Sequence, residues 1–368
     1  MGGKNDRRPS ARRRRCARIR RRLGSFLLAF CMIFTMLEAA PATTVSAAST
    51  PVSKHGQLSV DGVNFVDSSG NAFQLRGIST HGINWDVGST YVSKKAFKTL
   101  RDGWGVNAIR LSMYTENCNG YCSGGDQSEL KALVSKGVKY ATDLGMYVII
   151  DWHILSDGNP NEHITEAKAF FTTMAKKYKN YNNVIYEICN EPNGCSWKSI
   201  KSYAKKIIKA IRKYDKDAVI IVGTPSWSQL GASLTSNEVA DDPITGYDNI
   251  MYSLHFYASE DAHSEYLPDK LNYALEKGLP VIVSEFGLSE ADGNGEIDKT
   301  SANQWFKLLN KYNISYFCWS LSNKDESSSL LKAGTAKTSS WKSSDLSTAG
   351  KYIKKKYLAR QEKLGAAA

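Results

Sequence analysis

Cysteine is scarce in this chain and badly placed for cross-linking. Of seven cysteines, Cys16 and Cys31 fall in the first 47 residues, and the remaining five (Cys118, Cys122, Cys189, Cys195 and Cys318) form an odd set. An odd set gives no complete disulfide framework, so a hydrophobic core has to hold the fold. Cys118 and Cys122 are near enough in sequence to close one small loop in an oxidising compartment. No second cysteine pair and no histidine pair stands at zinc-ligand spacing, so neither a metal nor a cofactor is expected. A glycine-rich nucleotide turn after the first strand-like segment is also missing, as is any repeat of roughly 20 to 50 residues or a long low-complexity tract. These absences argue against a dinucleotide-binding open sheet and a solenoid.

Basic charge is abundant but concentrated. Residues 1–47 carry eleven basic residues, Lys4 and ten arginines from Arg7 to Arg22, against Asp6 and Glu38. That segment holds +9 of the net +12 and leaves +3 for the rest, which removes the electrostatic case for a nucleic-acid partner. Its arginine-rich start, the apolar stretch from about Leu23 to Leu37 and the small residues ending in Val45-Ser46-Ala47-Ala48 are the three parts of a secretory leader. The apolar stretch falls short of the roughly 20 residues a spanning helix needs. The expected product is therefore extracellular, with no stable membrane association after cleavage.

With 42% hydrophobic and 23% charged residues, the remainder is ordinary globular sequence able to bury a large core. The expected organisation is a leader over 1–47, a linker over 48–55, one domain over 56–358 and a short tail over 359–368. Residues 58–75 alternate apolar and polar around two turn clusters, which predicts a small hairpin cap. Apolar strands are then expected at Phe73 to Ile78, Ala108 to Met113, Tyr147 to Asp151, Val184 to Cys189, Val219 to Gly223, Ile250 to Leu254, Pro280 to Ser284 and Ser315 to Trp319. Amphipathic helical stretches lie between most of them, near 93–103, 128–144, 163–179, 198–214, 264–277 and 299–311, with a last one near 345–358. The connection after Val219 to Gly223 is the least defined. Eight strands alternating with helices predict an α/β fold, a (β/α)8 TIM barrel behind a short N-terminal hairpin cap.

Polar residues gather where these strands end: Arg110, His153, Asn190 with Glu191, His255 with Tyr257, Glu285 and Trp319. A barrel brings all its strand ends to one mouth, so their coincidence carries more weight than any one of them. Pro192 stops the fourth strand and leaves Glu191 at its lip, because proline has no N–H for the ladder. Two carboxylates on rigid motifs, Glu191 and Glu285, suit glycosidic cleavage, which needs one protonated acid and one ionised nucleophile. Arg110 and Tyr257 are donors suited to an ionised Glu285, and the neighbouring anion is expected to raise the pKa of Glu191.

Taken as a set, these motifs resemble glycoside hydrolase family five, and its bacterial endoglucanases in particular, from Leu75-Arg76-Gly77 to Asn323-Lys324. The resemblance implies that Glu191 is the acid/base and Glu285 the nucleophile of a retaining endo-β-1,4-glucanase. It implies that Asn190 binds the sugar 2-hydroxyl while Arg110, His153, His255 and Tyr257 position the carboxylates. His81, Trp85, Tyr114, Trp227, Trp319, Lys324 and Glu326 resemble the family's substrate-binding residues, with Trp85 and Trp227 expected to be exposed because they sit in polar loops. The implied partner is a β-glucan polysaccharide, cellulose or mixed-linkage, and a complete barrel with its own mouth is expected to act as a monomer. A mannanase or xyloglucanase on the same scaffold is the nearest alternative. A non-catalytic carbohydrate-binding protein and a metal hydrolase using Asp151, His153 and His255 are the others.

Overall fold

The computed structural model describes residues 49–366, and the expected leader over 1–47 lies outside them. Strands β1 (Ser59–Asp61) and β2 (Asn64–Val66) pair antiparallel as a hairpin. Eight parallel strands follow and close on themselves: β3 (Arg76–Thr80), β4 (Ala108–Tyr114), β5 (Tyr147–His153), β6 (Val184–Glu187), β7 (Ile220–Val222), β8 (Ile250–Tyr257), β9 (Val281–Gly287) and β10 (Tyr316–Leu321), with β10 pairing β3. The expected (β/α)8 barrel is the fold.

The outer helices form for local reasons. The helix Trp197–Arg212 is capped by Ser196, whose side chain accepts from the Ser199 N–H, and it buries Ile200, Tyr203, Ala204, Ile207, Ile208 and Ile211. That spacing is one stripe of a 3.6-residue period, and the intervening lysines stay on the opposite face. After β7 there are only the short turns Pro225–Ser228 and Glu238–Asp241 where a full helix would stand.

Inside the barrel the two-residue period of the strands sorts side chains by height. Ala108, Tyr147, Ile149, Ile185, Ile221, Met251, Ile282 and Phe317 form an apolar plug, which Leu58, Phe65, Phe73 and Leu75 close from below. The hairpin cap therefore seals the N-terminal end. Continuing up the same faces, Arg110, Asp151, Glu187, Ser253 and Ser284 make a buried polar layer beneath the mouth.

Three expected boundaries need correction. The linker over 48–55 contains a helix, Pro51–His55, nucleated by a reciprocal Thr50–Ser53 capping box with proline in its first turn. The Val52 N–H also donates to the Gly145 carbonyl at 3.0 Å, so this segment is docked. The tail expected from 359 belongs instead to the last helix, Thr348–Ala366, where Arg360 Nε donates to Gln74 Oε1 at 2.9 Å. Finally, the first barrel strand starts at Arg76, because Phe73 and Leu75 serve the plug below it.

Candidate active site

The chain approaches the mouth along β6. Its strand ends at Glu187, two residues before the expected Cys189, yet Ile188 N–H still donates to the Ile221 carbonyl and Asn190 N–H to the Trp152 carbonyl. The segment is thus clamped between both neighbours until Pro192 ends it. Gly223 lies against this turn so closely that a Cβ there would sit 2.3 Å from the Cys189 carbonyl oxygen, which explains the need for glycine. Glu191 emerges 9% exposed at the base of a cleft of about 780 Å³.

Across the cleft, a register shift between β8 and β9 sets Glu285 opposite His255, although Ser253 pairs with Ile282. The bulge lets the successive residues Ser284 and Glu285 both contact groups of the barrel interior. One ligand-capable atom from each of Glu191, His255 and Glu285 lies within 4.8 Å of the other two. Arg110 Nη1 donates to Glu285 Oε2 at 2.8 Å and Tyr257 Oη to Glu285 Oε1 at 2.8 Å, so a cation and a hydroxyl complement an anion there. Glu191 Oε1 meets His255 Nδ1 at 2.9 Å.

The surroundings of the two carboxyls differ accordingly. Burial pushes Glu191 up to about 8; the Arg110 cation opposes this, and the charges of Asp151 and Glu187 add to it. The expectation that the Glu285 anion would be the cause is corrected: desolvation comes first. Burial also holds His255 down to about 4 and His153 well below its ordinary range, so both imidazoles are neutral near pH 7.

Arg110 is fully buried, and its shortest contacts go to four acceptors. Its Nε donates to Glu187 Oε2 at 2.6 Å, Nη2 to Asn190 Oδ1 at 2.6 Å, Nη2 faces Asp151 Oδ2 at 3.0 Å, and Nη1 takes Glu285. Burial lowers its pKa, but the three carboxylates outweigh that and leave it above the usual arginine value. His153 Nδ1 donates to Asp151 Oδ2 at 2.7 Å, which frees Nε2 to accept from the Asn190 amide at 3.2 Å. The other Asn190 amide hydrogen goes to the Ile154 carbonyl at 3.1 Å, so every polar group of that side chain has a protein partner.

All the expected site residues line the cleft except Arg110 and Asn190, which lie beneath it. Trp319 stacks on His153, with centroids 5.3 Å apart at 19°, and Trp85 packs edge-on to Tyr114. Trp227 is 47% exposed, as its polar loop suggested, whereas Trp85 is half-buried in this aromatic cluster. Lys324 Nζ pairs with Glu326 Oε2 at 2.5 Å, and Glu326 Oε1 lies 3.8 Å from His81 Nε2. Cys118 and Cys122 stand as free thiols.

Sequence reasoning missed Glu187, and it missed Gln229, Glu260 and His263 on the cleft wall. Glu187 had a signal: it is two residues from Ile185, and so shares the inward face of β6. His263 Nδ1 accepts the Tyr257 N–H at 2.9 Å, a contact between a strand end and a helix that no motif announces.

A closed parallel barrel with two unlike carboxyls on the floor of an aromatic cleft defines an enzyme of the glycoside hydrolase class. A family model described as cellulase (glycosyl hydrolase family 5) matches residues 66–325. An endoglucanase of Clostridium saccharobutylicum is 47% identical over 90% of this chain and 71% of its own length. Endoglucanase A of Butyrivibrio fibrisolvens is 45% identical over 81% of this chain and 68% of its own. The catalytic domain of Thermobifida fusca endoglucanase Cel5A, solved in complex with cellotetraose, superposes with a TM-score of 0.79 at 38% identity, covering 84% of this chain and 99% of that one. The chain belongs to glycosyl hydrolase family 5.

Proposed function

We propose that the protein is a secreted retaining endo-β-1,4-glucanase acting on cellulose or mixed-linkage β-glucan, with Glu285 as nucleophile and Glu191 as acid/base. The observation that carries this reading is the pair itself: carboxyl oxygens within 4.8 Å, one held by Arg110 and Tyr257, the other pushed up to about 8 by burial. Retaining enzymes hold their two carboxyls about 5 to 5.5 Å apart, while inverting ones leave room for a water between them.

Glu285 attacks the anomeric carbon as Glu191 gives its proton to the departing glycosidic oxygen, leaving a glycosyl ester on Glu285. Glu191, now a carboxylate, takes a proton from water, whose oxygen attacks the same carbon and regenerates both groups. Asn190 is held by Arg110, His153 and Ile154, and the second lone pair of its Oδ1 leaves it an acceptor for the sugar 2-hydroxyl. Trp227 offers an open aromatic face for a sugar ring, and Trp319 and Lys324 line the same cleft. Export is supported by the leader pattern, and among the described residues no helix is long and apolar enough to cross a membrane.

The test is reducing-end release by purified mature protein from carboxymethylcellulose, mannan and xylan, with Glu191→Gln and Glu285→Gln alongside. The expected ranking puts carboxymethylcellulose first, and each variant should lose at least about a thousandfold in kcat. A preference for mannan removes the glucanase specificity, and wild-type rates in the variants remove the site.

A further inference from the structure

We propose that Glu187 is a positioning residue for the reaction: ionised against Arg110, it sets the direction of a hydrogen-bond chain through Ser253, Ser284 and His255 and thereby keeps a proton on Glu191. This rests on the reading of Glu191 as acid/base and deepens it.

Glu187 is fully buried and does not line the cleft, so it is out of reach of substrate. Its Oε2 receives Arg110 Nε at 2.6 Å, and its Oε1 meets Ser253 Oγ at 3.3 Å. Ser253 Oγ is 2.9 Å from Ser284 Oγ, which is 2.8 Å from His255 Nε2. His255 Nδ1 then meets Glu191 Oε1 at 2.9 Å. An unbroken path thus joins Glu187, the last residue of β6, to Glu191 beyond the strand end by way of β8 and β9.

Such a path has only two directions, because each hydroxyl has one hydrogen to give and a neutral imidazole has one N–H. A carboxylate at 187 can only accept. Ser253 then donates to Glu187 and accepts from Ser284, which accepts from the Nε2–H of His255. That leaves a lone pair on Nδ1, and Glu191 must supply the hydrogen. The opposite direction would need a hydrogen on Glu187. The charge-assisted Arg110 contact favours the first, as does the position of His255 Nε2 only 3.9 Å from Glu187 Oε1, where an N–H faces an anion.

The consequence serves both halves of the reaction. Glu191 arrives protonated for the leaving oxygen; having given that proton away, its carboxylate faces a lone pair and is the stronger base towards water. The proton taken from water returns to Glu191, and the imidazole and hydroxyl hydrogens end where they began. The other charged or titratable groups around Glu191 and His255 are Arg110 and Tyr114 on β4, Asp151 and His153 on β5, Tyr257 on β8, Glu285 on β9, and His263. Among the described residues, only Glu187 reaches His255 Nε2 through the two serines.

Glu187→Gln tests this with little change of shape. The amide oxygen keeps Arg110, so the amide nitrogen donates to Ser253 and every link reverses. His255 then presents Nδ1–H to Glu191 and favours its carboxylate. Ser284→Ala cuts the path and releases the same tautomer. The readout is kcat/KM for cellopentaose from about pH 4 to about pH 10, whose basic limb reports the acid of the free enzyme. Each variant should lower that limb by about one pH unit or more, and the double variant no further than the larger single shift. An unmoved limb in a folded variant overturns the proposal, as do shifts that simply add, which would be a through-space charge effect. If Glu187→Gln does not fold, Ser284→Ala decides alone. Glu191→Gln run alongside separates the failures: wild-type turnover there removes the acid/base reading itself, whereas an inactive Glu191→Gln with an unmoved limb in Glu187→Gln removes only the chain.

Discussion

Burial of Glu191 makes the stability of the fold depend on pH. Its folded pKa of about 8 stands above the ordinary 4.5, so between those values the folded chain holds a proton that the unfolded chain has lost. The stabilising contribution is complete below about 4.5 and is lost as pH rises through 8. Glutamine at 191 cannot ionise and escapes the loss. The melting temperature of Glu191→Gln relative to wild type should therefore climb between about pH 5 and about pH 9, by several degrees. A constant difference across that range would mean that Glu191 is not the buried acid described above. At this scale the sequence was informative wherever a residue sat on a motif: Glu191 before Pro192, Glu285 after its strand, Tyr257 two past His255. Glu187 stayed hidden because it reads as one polar letter inside an apolar strand, and only its parity with Ile185 points it inward.

The turn after β7 is an element built under strain for the cleft. Ser226, Trp227 and Ser228 are all left-handed, with φ of 54°, 56° and 61°, a conformation that costs about 1 kcal/mol or more for each residue other than glycine. Hydrogen bonds anchor it: Ser228 Oγ donates to the Asn190 carbonyl at 2.6 Å and accepts the Thr224 N–H at 3.2 Å, and the Trp227 N–H reaches the Pro192 carbonyl at 3.1 Å. Ser228→Ala should cost about 1–3 kcal/mol in urea denaturation and lower kcat as well, since it frees the backbone beside Glu191. Trp227→Ala should instead raise KM for long cello-oligosaccharides with kcat little changed, as expected for an exposed face that binds ground and transition states alike. If Trp227→Ala lowered kcat alone, the ring would not be a binding platform. The loop was the stretch where strand and helix periods failed in the sequence, and the reason is now physical. Its shape comes from hydrogen bonds to a neighbouring strand end rather than from its own pattern. The β9 bulge was invisible for a similar cause, because Ser284 and Glu285 read as ordinary alternation until β8 fixes the register.

At the scale of the whole molecule, chemistry and cohesion occupy opposite ends of the barrel. The alternation of eight apolar strands was enough to predict closure. The way the N-terminal segment completes the plug was only half legible, since a capping box at Thr50 and Ser53 resembles linker sequence until Gly145 is found beside it. Phe65 is 1% exposed under the plug, so Phe65→Ala should cost about 3–5 kcal/mol in chemical denaturation while leaving KM for cello-oligosaccharides unchanged. A shift in KM would show that the two ends are coupled.

The Arg110 hub also restricts how such a molecule can vary. A single guanidinium answers to Asp151, Glu187, Asn190 and Glu285, and exchange of any one alters the hydrogen bonds and charge balance felt by the others. Substitutions in this layer disturb several partners at once, whereas exchanges of Trp227, Lys324 and Gln229 on the cleft wall disturb few. New sugar preferences would therefore accumulate around the rim, above a floor whose residues constrain one another.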